Sequence, residues 1–180
     1  MKRVHIVGRK NGGKTTLIVD LVQHLTANGY RVGTVKHTHH HHELDTPGKD
    51  SHRHREAGAA AVGILSPGMT AVFRPLDEAT QSATDRYDQL APMFTDCDIV
   101  LVEGNLQATA LKIEVWRAAV AERPIAAQDS SISAVVADDP VDVAVPIWSR
   151  SDMRGLVRRL LAEIEGTQQG ESDTTPRGRK

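Results

Sequence analysis

Residues 8–15 read Gly-Arg-Lys-Asn-Gly-Gly-Lys-Thr, which fits the pattern G-x-x-x-x-G-K-S/T of phosphate-binding loops. Residues 4–7, Val-His-Ile-Val, precede this loop and predict a buried strand. The residues after the loop predict an amphipathic helix, because apolar side chains recur at helical spacing in Leu17, Ile18, Leu21, Val22 and Leu25. A strand, a glycine-rich loop and a helix in this order bring backbone N–H groups and the positive end of the helix dipole to one point, where phosphate binds.

Each residue type in the loop has a role in holding a triphosphate. Glycine lets the main chain curve closely around phosphate oxygens, whose negative charge is met by backbone N–H groups. Lys14 would bridge the β- and γ-phosphates, the Thr15 hydroxyl would bind Mg²⁺, and Thr16 would contact the α-phosphate. The competing explanation is a glycine turn that opens a helix and leaves Lys14 solvated, but the strand and the helix on either side argue against it. The predicted nucleotide-binding residues of the loop are Gly8, Asn11, Gly12, Gly13, Lys14, Thr15 and Thr16.

A second predicted strand ends in a carboxylate of the kind that a phosphate loop needs. Residues 99–104 read Ile-Val-Leu-Val-Glu-Gly, so four apolar residues precede Glu103 and a glycine follows it. Phosphate loops use such a carboxylate to hold Mg²⁺ or its water. Asp98 begins the same run at the opposite end of the strand, and we therefore assign the metal site to Thr15 and Glu103. A solvated charge at a strand end is the alternative explanation for Glu103.

Apolar runs and helical patterns alternate along the rest of the chain, which is typical of βαβ units around a parallel sheet. Ser66-Pro67-Gly68 joins two short strand patterns and predicts a β-hairpin. Residues 111–115 alternate apolar and polar side chains, as expected of a half-buried or edge strand. Further predicted elements are strands at 132–136 and 143–146 and a final amphipathic helix at 153–164. The predicted fold is α/β: a P-loop NTPase with a mostly parallel, doubly wound sheet flanked by helices, and a β-hairpin insertion.

Length and composition fit one compact domain followed by a tail. The chain has 180 residues, of which 39% are hydrophobic, and we expect a nucleotide-binding P-loop domain over residues 1–165. Residues 166–180 contain only Gly, Thr, Gln, Ser, Pro and charged residues. Such a segment has no apolar surface to bury, so it predicts a disordered polar tail.

The charge balance and the single cysteine exclude several classes of protein. Lys and Arg number 22 against 23 Asp and Glu, a net charge of -1, whereas a general nucleic-acid-binding protein needs a basic excess. Apolar runs such as residues 99–102 are too short to span a bilayer, so we expect no membrane partner. Cys97 alone cannot form an intramolecular disulfide or a multi-cysteine metal site, and it favours a reducing, cytoplasmic setting.

Seven of the nine histidines lie between His37 and His54. Neutral imidazole is a common ligand of Zn²⁺ and Ni²⁺, so one hypothesis is a metal site in this segment. A polar loop that is rich in histidine is a second, and a role toward nucleotide, magnesium or substrate is a third. The third hypothesis follows from the fold, because the end of the second strand of a doubly wound sheet lies near the phosphate loop. Asp50 and Ser51 would open a helix there, for which capping is a purely structural explanation.

Several stretches of the chain share a pattern with one known family. They are residues 4–17 with the phosphate loop, Val35-Lys36-His37 with Asp45, Gly48-Lys49-Asp50-Ser51 and Ala57-Gly58-Ala59 downstream, residues 101–104, and Lys112-Ile113-Glu114-Val115. In these stretches, which cover most of residues 1–140, the chain resembles the molybdopterin-guanine dinucleotide biosynthesis protein B (MobB) family. Many families share the phosphate loop, whereas the lysine-histidine strand end with its downstream residues is much more specific.

The resemblance implies a P-loop fold of the signal-recognition-particle-like GTPase class, usually dimeric, that binds GTP with Mg²⁺ and hydrolyses it slowly. Such proteins assist the MobA-type guanylyltransferase that joins GMP to molybdopterin, which gives the guanine dinucleotide form of the molybdenum cofactor. Carried over by motif, Lys14, Asp50 and Glu103 would be the catalytic residues, with Asp50 close to the γ-phosphate or its water. Asp138, which ends a predicted strand, would meet the guanine edge, and a solvated strand end is the alternative.

Two features depart from the family pattern. Asn105-Leu106-Gln107 follows Gly104 where the family commonly has an aromatic residue and a lysine. The N-K-x-D guanine motif of other GTPases is absent, so the guanine preference rests on the likeness alone. No arginine finger is assigned by the sequence, with Arg9 and Arg55 as candidates, and slow turnover is therefore expected.

Two other functions fit the same loop. A nucleotide-dependent metallochaperone for nickel enzymes would use the histidine-rich segment, although the single cysteine counts mildly against it. A small-molecule kinase would bind ATP on the same loop and transfer phosphate to an acceptor rather than to water. Metal binding coupled to the nucleotide state distinguishes the first alternative, and an acceptor for phosphate distinguishes the second.

Overall fold

The computed structural model describes residues 1–38, 40, 42–75 and 86–172. Its backbone divides into two compact units. One unit comprises Met1–Thr38 and Ala91–Lys180, and the other comprises His39–Leu90. The predicted domain 1–165 thus contains a sheet unit, which carries the phosphate loop, and a smaller unit that interrupts the sheet unit in sequence.

A parallel sheet forms the centre of the first unit. The strands of the described chain are β1 (Arg3–Val7), β2 (Val32–Lys36), β3 (Val62–Leu65), β4 (Thr70–Phe73), β5 (Ile99–Glu103), β6 (Lys112–Val115), β7 (Ala134–Val136) and β8 (Ile147–Trp148). Six of them form one sheet in the order β2-β5-β1-β6-β7-β8, and each neighbouring pair is parallel. Because parallel strands end at the same edge, the loops that follow β1, β5 and β6 lie side by side.

Four helices accompany the strands in the described residues. They are α1 (Lys14–Ala27), α2 (Asp50–Glu56), α3 (Arg86–Leu90) and α4 (Met153–Ser172), with 3₁₀ turns at Ala91–Phe94, Ala118–Val120 and Ile125–Ala127. The helix α1 ends at Asn28-Gly29, as the sequence predicts, and Gly29 adopts the positive φ of 87° that suits glycine after a helix. The helices α2 and α3 belong to the second unit, together with the antiparallel pair β3 and β4.

Alternate residues of the central strands face opposite sides of the sheet, and each side has its own core. Val4 and Ile6 of β1 belong to a cluster with the apolar faces of α1 and α4. Val7 belongs to a second cluster with Ile132 and with Ala126 of a 3₁₀ turn. The sheet is therefore covered by two helices on one face and by turns and loops on the other. The prediction of an α/β fold with a mostly parallel sheet is confirmed.

The prediction of a half-buried or edge strand at 111–115 is wrong. The strand β6 lies between β1 and β7, and all four of its residues are buried. Its polar side chains are buried because they bind the backbone of neighbouring loops. Lys112 Nζ donates to the carbonyl of Leu106 at 3.0 Å, and the two carboxylate oxygens of Glu114 accept the N–H groups of Ile125 and Ala126 at 2.8 Å each.

The last predicted strand is displaced in the structure. Pairing places β8 at Ile147–Trp148 rather than at 143–146. The side chain of Trp148 is 4% exposed and lies in the larger core, whereas Val143 and Val145 only pack from outside against the smaller one. A large aromatic side chain buries more apolar surface than a valine. This accounts for the pairing of residues 147–148, rather than 143–146, with β7.

The predicted hairpin is confirmed, and the final helix is longer than predicted. Residues 62–65 and 70–73 pair antiparallel around Ser66 and Gly68. The helix α4 continues through residues 166–172, because helical hydrogen bonding extends from an existing helix without requiring apolar side chains. The rest of the predicted tail, 173–180, lies outside the described residues. Among the helices of the described chain, none has the length and apolar composition to cross a bilayer.

The buried carboxylate of Glu114 allows a test of the central strand. In Glu114→Gln one acceptor oxygen becomes an NH₂ group that faces a backbone N–H, so the free energy of unfolding should fall by about 2–3 kcal/mol. Urea unfolding followed by tryptophan fluorescence measures this, since Trp116 and Trp148 both lie in the sheet unit. The exposed Glu165→Gln serves as the control. A loss below about 0.5 kcal/mol in Glu114→Gln would contradict the assigned role.

Candidate functional site

The phosphate loop connects β1 to α1 at the carboxyl edge of the sheet, and two glycines determine its path. Gly8 has a φ of 141°, and a Cβ atom there would lie 2.5 Å from the carbonyl oxygen of Val115 at the end of β6. Gly13 directly precedes α1 with a φ of 99°. Both conformations are ones that other residues rarely adopt. The loop can therefore turn against the neighbouring strand and enter the helix only because glycine occupies these positions.

The first turn of α1 presents unused N–H groups. The first hydrogen bond of the helix runs from the N–H of Leu17 to the carbonyl of Gly13, at 2.9 Å. The N–H groups of Lys14, Thr15 and Thr16 precede it, and the geometry of a helix gives them no acceptor. No side chain of the described residues caps this end. These donors and the positive end of the helix dipole together form an anion site.

Lys14 is folded back onto the loop. Its Nζ donates to the carbonyls of Gly8 and Arg9, at 2.9 and 2.8 Å. Burial lowers the pKa of Lys14 from its ordinary value, and the carboxylate of Glu103 opposes part of that effect. An ammonium group has three N–H bonds, so one remains for a phosphate while both carbonyls are bound.

Thr15 and Glu103 meet as the predicted metal pair. The Thr15 hydroxyl donates to Oε1 of Glu103 at 2.9 Å. The last residue of β5 reaches this position because β5 pairs with β1 in a register that sets Glu103 beside Ile6, next to the loop. Asp98, at the opposite end of β5, instead accepts the N–H of Arg31 at 2.7 Å. A hydroxyl and a carboxylate are hard oxygen donors, so this pair fits Mg²⁺, which usually retains several waters beside one or two protein ligands.

A cavity of about 420 Å³ lies over the loop and brings most of the predicted site residues together. It is lined by Lys10, Asn11, Gly13, Lys14, Thr15, Thr16, Glu103 and Arg117. Its walls therefore combine cations, hydroxyl groups and one carboxylate. That combination suits a phosphate chain that carries a divalent cation.

Arg117 is a residue of this cavity that the sequence patterns did not indicate. It follows the end of β6 by two residues, and its Nε and Nη2 both donate to the carbonyl of Asn11, at 2.9 and 2.6 Å. Its place at the site follows from the strand order, since β6 is a direct neighbour of β1. Of the two arginines that the sequence suggested, Arg9 pairs with Glu122 at 3.3 Å, and Arg55 pairs with Glu43 in the second unit.

Asp138 lies just past the end of β7 and is held by a short segment after β8. Its Oδ1 accepts hydrogen bonds from the hydroxyl of Ser149 at 2.7 Å and from the N–H and hydroxyl of Ser151 at 3.0 and 3.1 Å. The Ser151 N–H, followed by the Ser149 hydroxyl, lowers the pKa of Asp138. Asp138 is therefore an ionised, exposed acceptor at the same edge of the sheet as the loop.

Other predicted residues fall in the second unit. Asp50 is the first residue of α2 and is exposed, and its place beside the γ-phosphate stays a prediction. His39 and His41, from the histidine run, lie outside the described residues. Among the residues that the structure does describe, no group of three or more His, Cys, Asp or Glu side chains could hold a metal ion. The role of the histidine run stays a prediction as well.

Comparison with known proteins agrees with this fold and loop. The family described as "MobB: Molybdopterin guanine dinucleotide synthesis protein B" matches residues 3–138. The chain belongs to the MobB family. The match includes the phosphate loop, Glu103 and Asp138, which lies just past the end of β7. The resemblance stated from the sequence is confirmed.

Curated relatives from two bacteria share much of their length with this chain. The molybdopterin-guanine dinucleotide biosynthesis adapter protein of Escherichia coli (strain K12) is 35% identical over 146 residues, which are 80% of this chain and 82% of that protein. The adapter protein of the same name from Haemophilus influenzae is 34% identical over 140 residues, 77% of this chain and 75% of that protein. The alignments therefore cover most of both proteins.

Solved structures of the MobB family have the same fold. A crystal structure of molybdopterin-guanine biosynthesis protein B superposes with a TM-score of 0.66 at 27% identity, over 89% of this chain and 98% of that one. A MobB homologue from Bacillus stearothermophilus gives a TM-score of 0.61 at 26% identity, over 92% and 99%. The family and the fold are thus established on both sequence and structure.

The surroundings of Lys14 predict how triphosphate binding depends on pH. The ammonium attracts phosphate only when protonated, and its pKa is lowered, so affinity should begin to fall at a lower pH than an exposed lysine would require. Arginine stays protonated throughout, so Lys14→Arg should lose this dependence. Affinity for a nucleoside triphosphate is measured between about pH 7 and 10 for the unaltered chain and for Lys14→Arg. The ratio of the two affinities is then compared across this range, because titration of the ligand affects both affinities equally and cancels. A ratio that stays constant would contradict the assignment.

Proposed function

We propose that this MobB-family chain binds GTP with Mg²⁺ on loop 8–16 and acts as an adapter in the biosynthesis of molybdopterin guanine dinucleotide. The observation that supports nucleotide binding is the loop itself, whose free N–H groups, Lys14 and the Thr15–Glu103 pair surround one cavity. The pathway is supported by the family match and by the names of the relatives. The adapter role is extended to this chain from those proteins.

The loop residues divide the work of holding the phosphate chain. Backbone N–H groups at the start of α1 bind phosphate oxygens, and Lys14 neutralises charge between the outer phosphates. Thr15 and Glu103 would hold Mg²⁺, which neutralises charge on the phosphate oxygens when bound. Phosphoryl transfer requires mainly positioning and neutralisation, and these residues supply both.

We infer a weak GTPase, in which Lys14, Glu103 and Asp50 are the proposed catalytic residues. Among the described residues, Glu103 is the one carboxylate that lines the cavity, and it is already hydrogen bonded to Thr15. A carboxylate in that role does not also orient the attacking water. Asp50 is proposed to act on the γ-phosphate or on the water that attacks it. Because Glu103 does not orient this water, we expect GTP hydrolysis to be slow.

Guanine recognition is proposed to involve Asp138. Guanine presents two neighbouring N–H donors on its Watson–Crick edge, so an acceptor-only carboxylate discriminates it from adenine. The lowered pKa keeps the Asp138 carboxyl ionised at neutral pH, and the bonds from Ser149 and Ser151 hold it in place. This acceptor lies on the sheet unit, as the phosphate loop does.

The proposed partners are a MobA-type guanylyltransferase, molybdopterin, and a second copy of this chain. The β3–β4 pair of the second unit leaves large apolar side chains exposed, with Leu65 at 84%, Met69 at 73% and Val72 at 50%. Grouped apolar side chains of this kind on a two-stranded sheet are typical of a protein interaction surface. They support an association of the chain with a copy of itself or with its partner enzyme.

Competitive binding of GTP and ATP tests the proposal. With Mg²⁺, GTP should bind more tightly than ATP, and Lys14→Ala should lose about 10- to 100-fold in GTP affinity, the equivalent of charge-assisted hydrogen bonds. Lys2→Ala, an exposed lysine away from the cavity, is the matched control and should bind as the unaltered chain does. Chelation of Mg²⁺ should weaken GTP binding to the unaltered chain.

The GTP and ATP affinities, together with a measurement of Ni²⁺ binding, distinguish the proposed adapter from the two alternative functions. Equal affinities for GTP and ATP would remove the guanine assignment and favour the kinase alternative, which a search for phosphate transfer to an acceptor would then test. Unchanged affinity in Lys14→Ala would remove the role of the phosphate loop. Stoichiometric Ni²⁺ binding that changes with the nucleotide state would favour the metallochaperone alternative over the adapter.

Substitution of Asp138 separates base recognition from phosphate binding. Asp138→Asn replaces one acceptor by a donor that opposes the guanine N–H groups, so the GTP-to-ATP affinity ratio should fall by about tenfold. Affinity for ATP should stay within about twofold, because the phosphate loop is unaltered. Asp142→Asn, an exposed carboxyl on the same segment, provides the comparison. An unchanged ratio in Asp138→Asn would show that guanine is recognised elsewhere.

A further inference from the structure

We propose that Arg117 is a second cation of the phosphate site, which contacts the bound triphosphate and also holds the loop at Asn11. The inference rests on the proposed function, because it adds a ligand-contacting residue to the same cavity. Arg117 and Lys14 both line that cavity, although 103 residues of sequence separate them. The two cations reach the site from different loops at the carboxyl edge of the sheet.

The guanidinium of Arg117 uses only part of its hydrogen-bonding capacity on the protein. Its Nε and Nη2 donate to the carbonyl of Asn11, at 2.9 and 2.6 Å. A guanidinium has five N–H bonds in a planar fork, so three remain after these two. That fork matches phosphate oxygens, which lysine can meet only as a point charge. One side chain can thus hold the loop and bind the ligand together.

The contact immobilises one peptide group of the loop. Asn11 has a φ of 61°, in the left-handed region that asparagine adopts more readily than other residues with a side chain. The carbonyl of the Asn11–Gly12 peptide accepts from Arg117, and the N–H of the same peptide donates to the carbonyl of Arg9 at 3.1 Å. Both polar ends of this peptide are therefore bound. The contact with Arg117 therefore holds the turn at Asn11 and sets the course of the chain toward the start of α1.

Arg117 is itself held by the segment that follows β6. The N–H of Ala118 donates to a carboxylate oxygen of Asp139 at 2.8 Å. The backbone N–H of Trp116 donates to the carbonyl of Val136 at 3.0 Å. These bonds fix the backbone on both sides of Arg117. A cation whose position is set in advance loses little conformational freedom when it binds an anion, so more of its attraction appears as affinity.

The charge around Arg117 also favours an anion. Within the described residues no carboxylate forms a salt bridge with Arg117, whereas Arg9 is paired with Glu122 and Arg31 with Asp96. In the part of the chain that the structure describes, the cavity is lined by three cationic side chains, Lys10, Lys14 and Arg117, and by one carboxylate, Glu103. Asp139 binds the neighbouring N–H of Ala118 but forms no salt bridge with Arg117 among the described residues, so a triphosphate would be the charged partner of this guanidinium.

Binding of GTP to substituted chains tests the assignment. We expect Arg117→Ala to weaken GTP binding by about tenfold or more and Arg117→Lys to recover part of the loss, because lysine restores the charge but not the fork. Arg154→Ala, an exposed arginine on α4 away from the cavity, should bind as the unaltered chain does. Urea unfolding of each variant confirms that a loss of binding is not a loss of fold.

Chemical rescue supplies a measurement that a purely structural role would not change. Free guanidinium, added at concentrations too low to unfold the protein, should restore part of the GTP affinity of Arg117→Ala and leave that of Lys14→Ala unaltered. If Arg117→Ala binds GTP within about twofold of the unaltered chain while Lys14→Ala does not, the role of Arg117 is wrong and the proposed function stands. If both variants bind normally, the proposed function itself is wrong. If Arg117→Ala binds GTP more weakly and free guanidinium does not restore its affinity, Arg117 only holds the loop. That result would overturn the proposed contact with the ligand.

Discussion

The close approach of Gly8 to the carbonyl of Val115 is the constraint on which the rest of the site depends. A Cβ atom at that position would lie 2.5 Å from this oxygen, well inside the contact distance of any real side chain. Without a side chain, β1 can leave the sheet directly beside β6 and turn into the loop at once. The start of α1 then points its free N–H groups at the carboxyl edge of the sheet, where Glu103 and Arg117 also arrive. The site is thus a consequence of strand spacing as much as of side-chain chemistry.

Buried polar groups beneath the site hold its loops in place. His5 Nδ1 lies 3.1 Å from the carbonyl of Gly104, and Lys112 binds the carbonyl of Leu106. Both contacts fix the chain that follows Glu103, so the carboxylate is held beside Thr15 before any ligand binds. Glu114 performs the equivalent task for the turn that begins at Ile125. Polar residues in central strands are costly unless they are satisfied, and here each satisfies a backbone group of a loop at the site or beside it.

Local patterns in the sequence predicted the loop, the strand before it, the helix after it and the position of Glu103, because each depends on a short run of residues. The pattern at 111–115 misled for a physical reason: Lys112 and Glu114 alternate with apolar residues as on an exposed face, but their polar ends are bound by backbone groups of the loops on either side of the strand. Arg117 escaped notice for a different reason, because its contact with Asn11 joins residues 106 positions apart and depends on β6 lying next to β1. Strand order is a property of the whole sheet, and no short stretch of sequence contains it.

Ligand binding at this site must exchange interactions rather than simply add them. In this structure Lys14 already binds two carbonyls of the loop, and Thr15 already binds Glu103. A triphosphate and its cation would compete with these bonds, each of which contributes about 1.5–3 kcal/mol because a charged group takes part. The N–H groups at the start of α1 differ from Lys14 and Thr15, because a helix gives them no backbone acceptor and a ligand would replace only water. The net attraction for phosphate therefore comes mainly from the helix end and from cations with spare donors. For this physical reason, a loop that is satisfied internally would still bind the nucleotide that we propose for it.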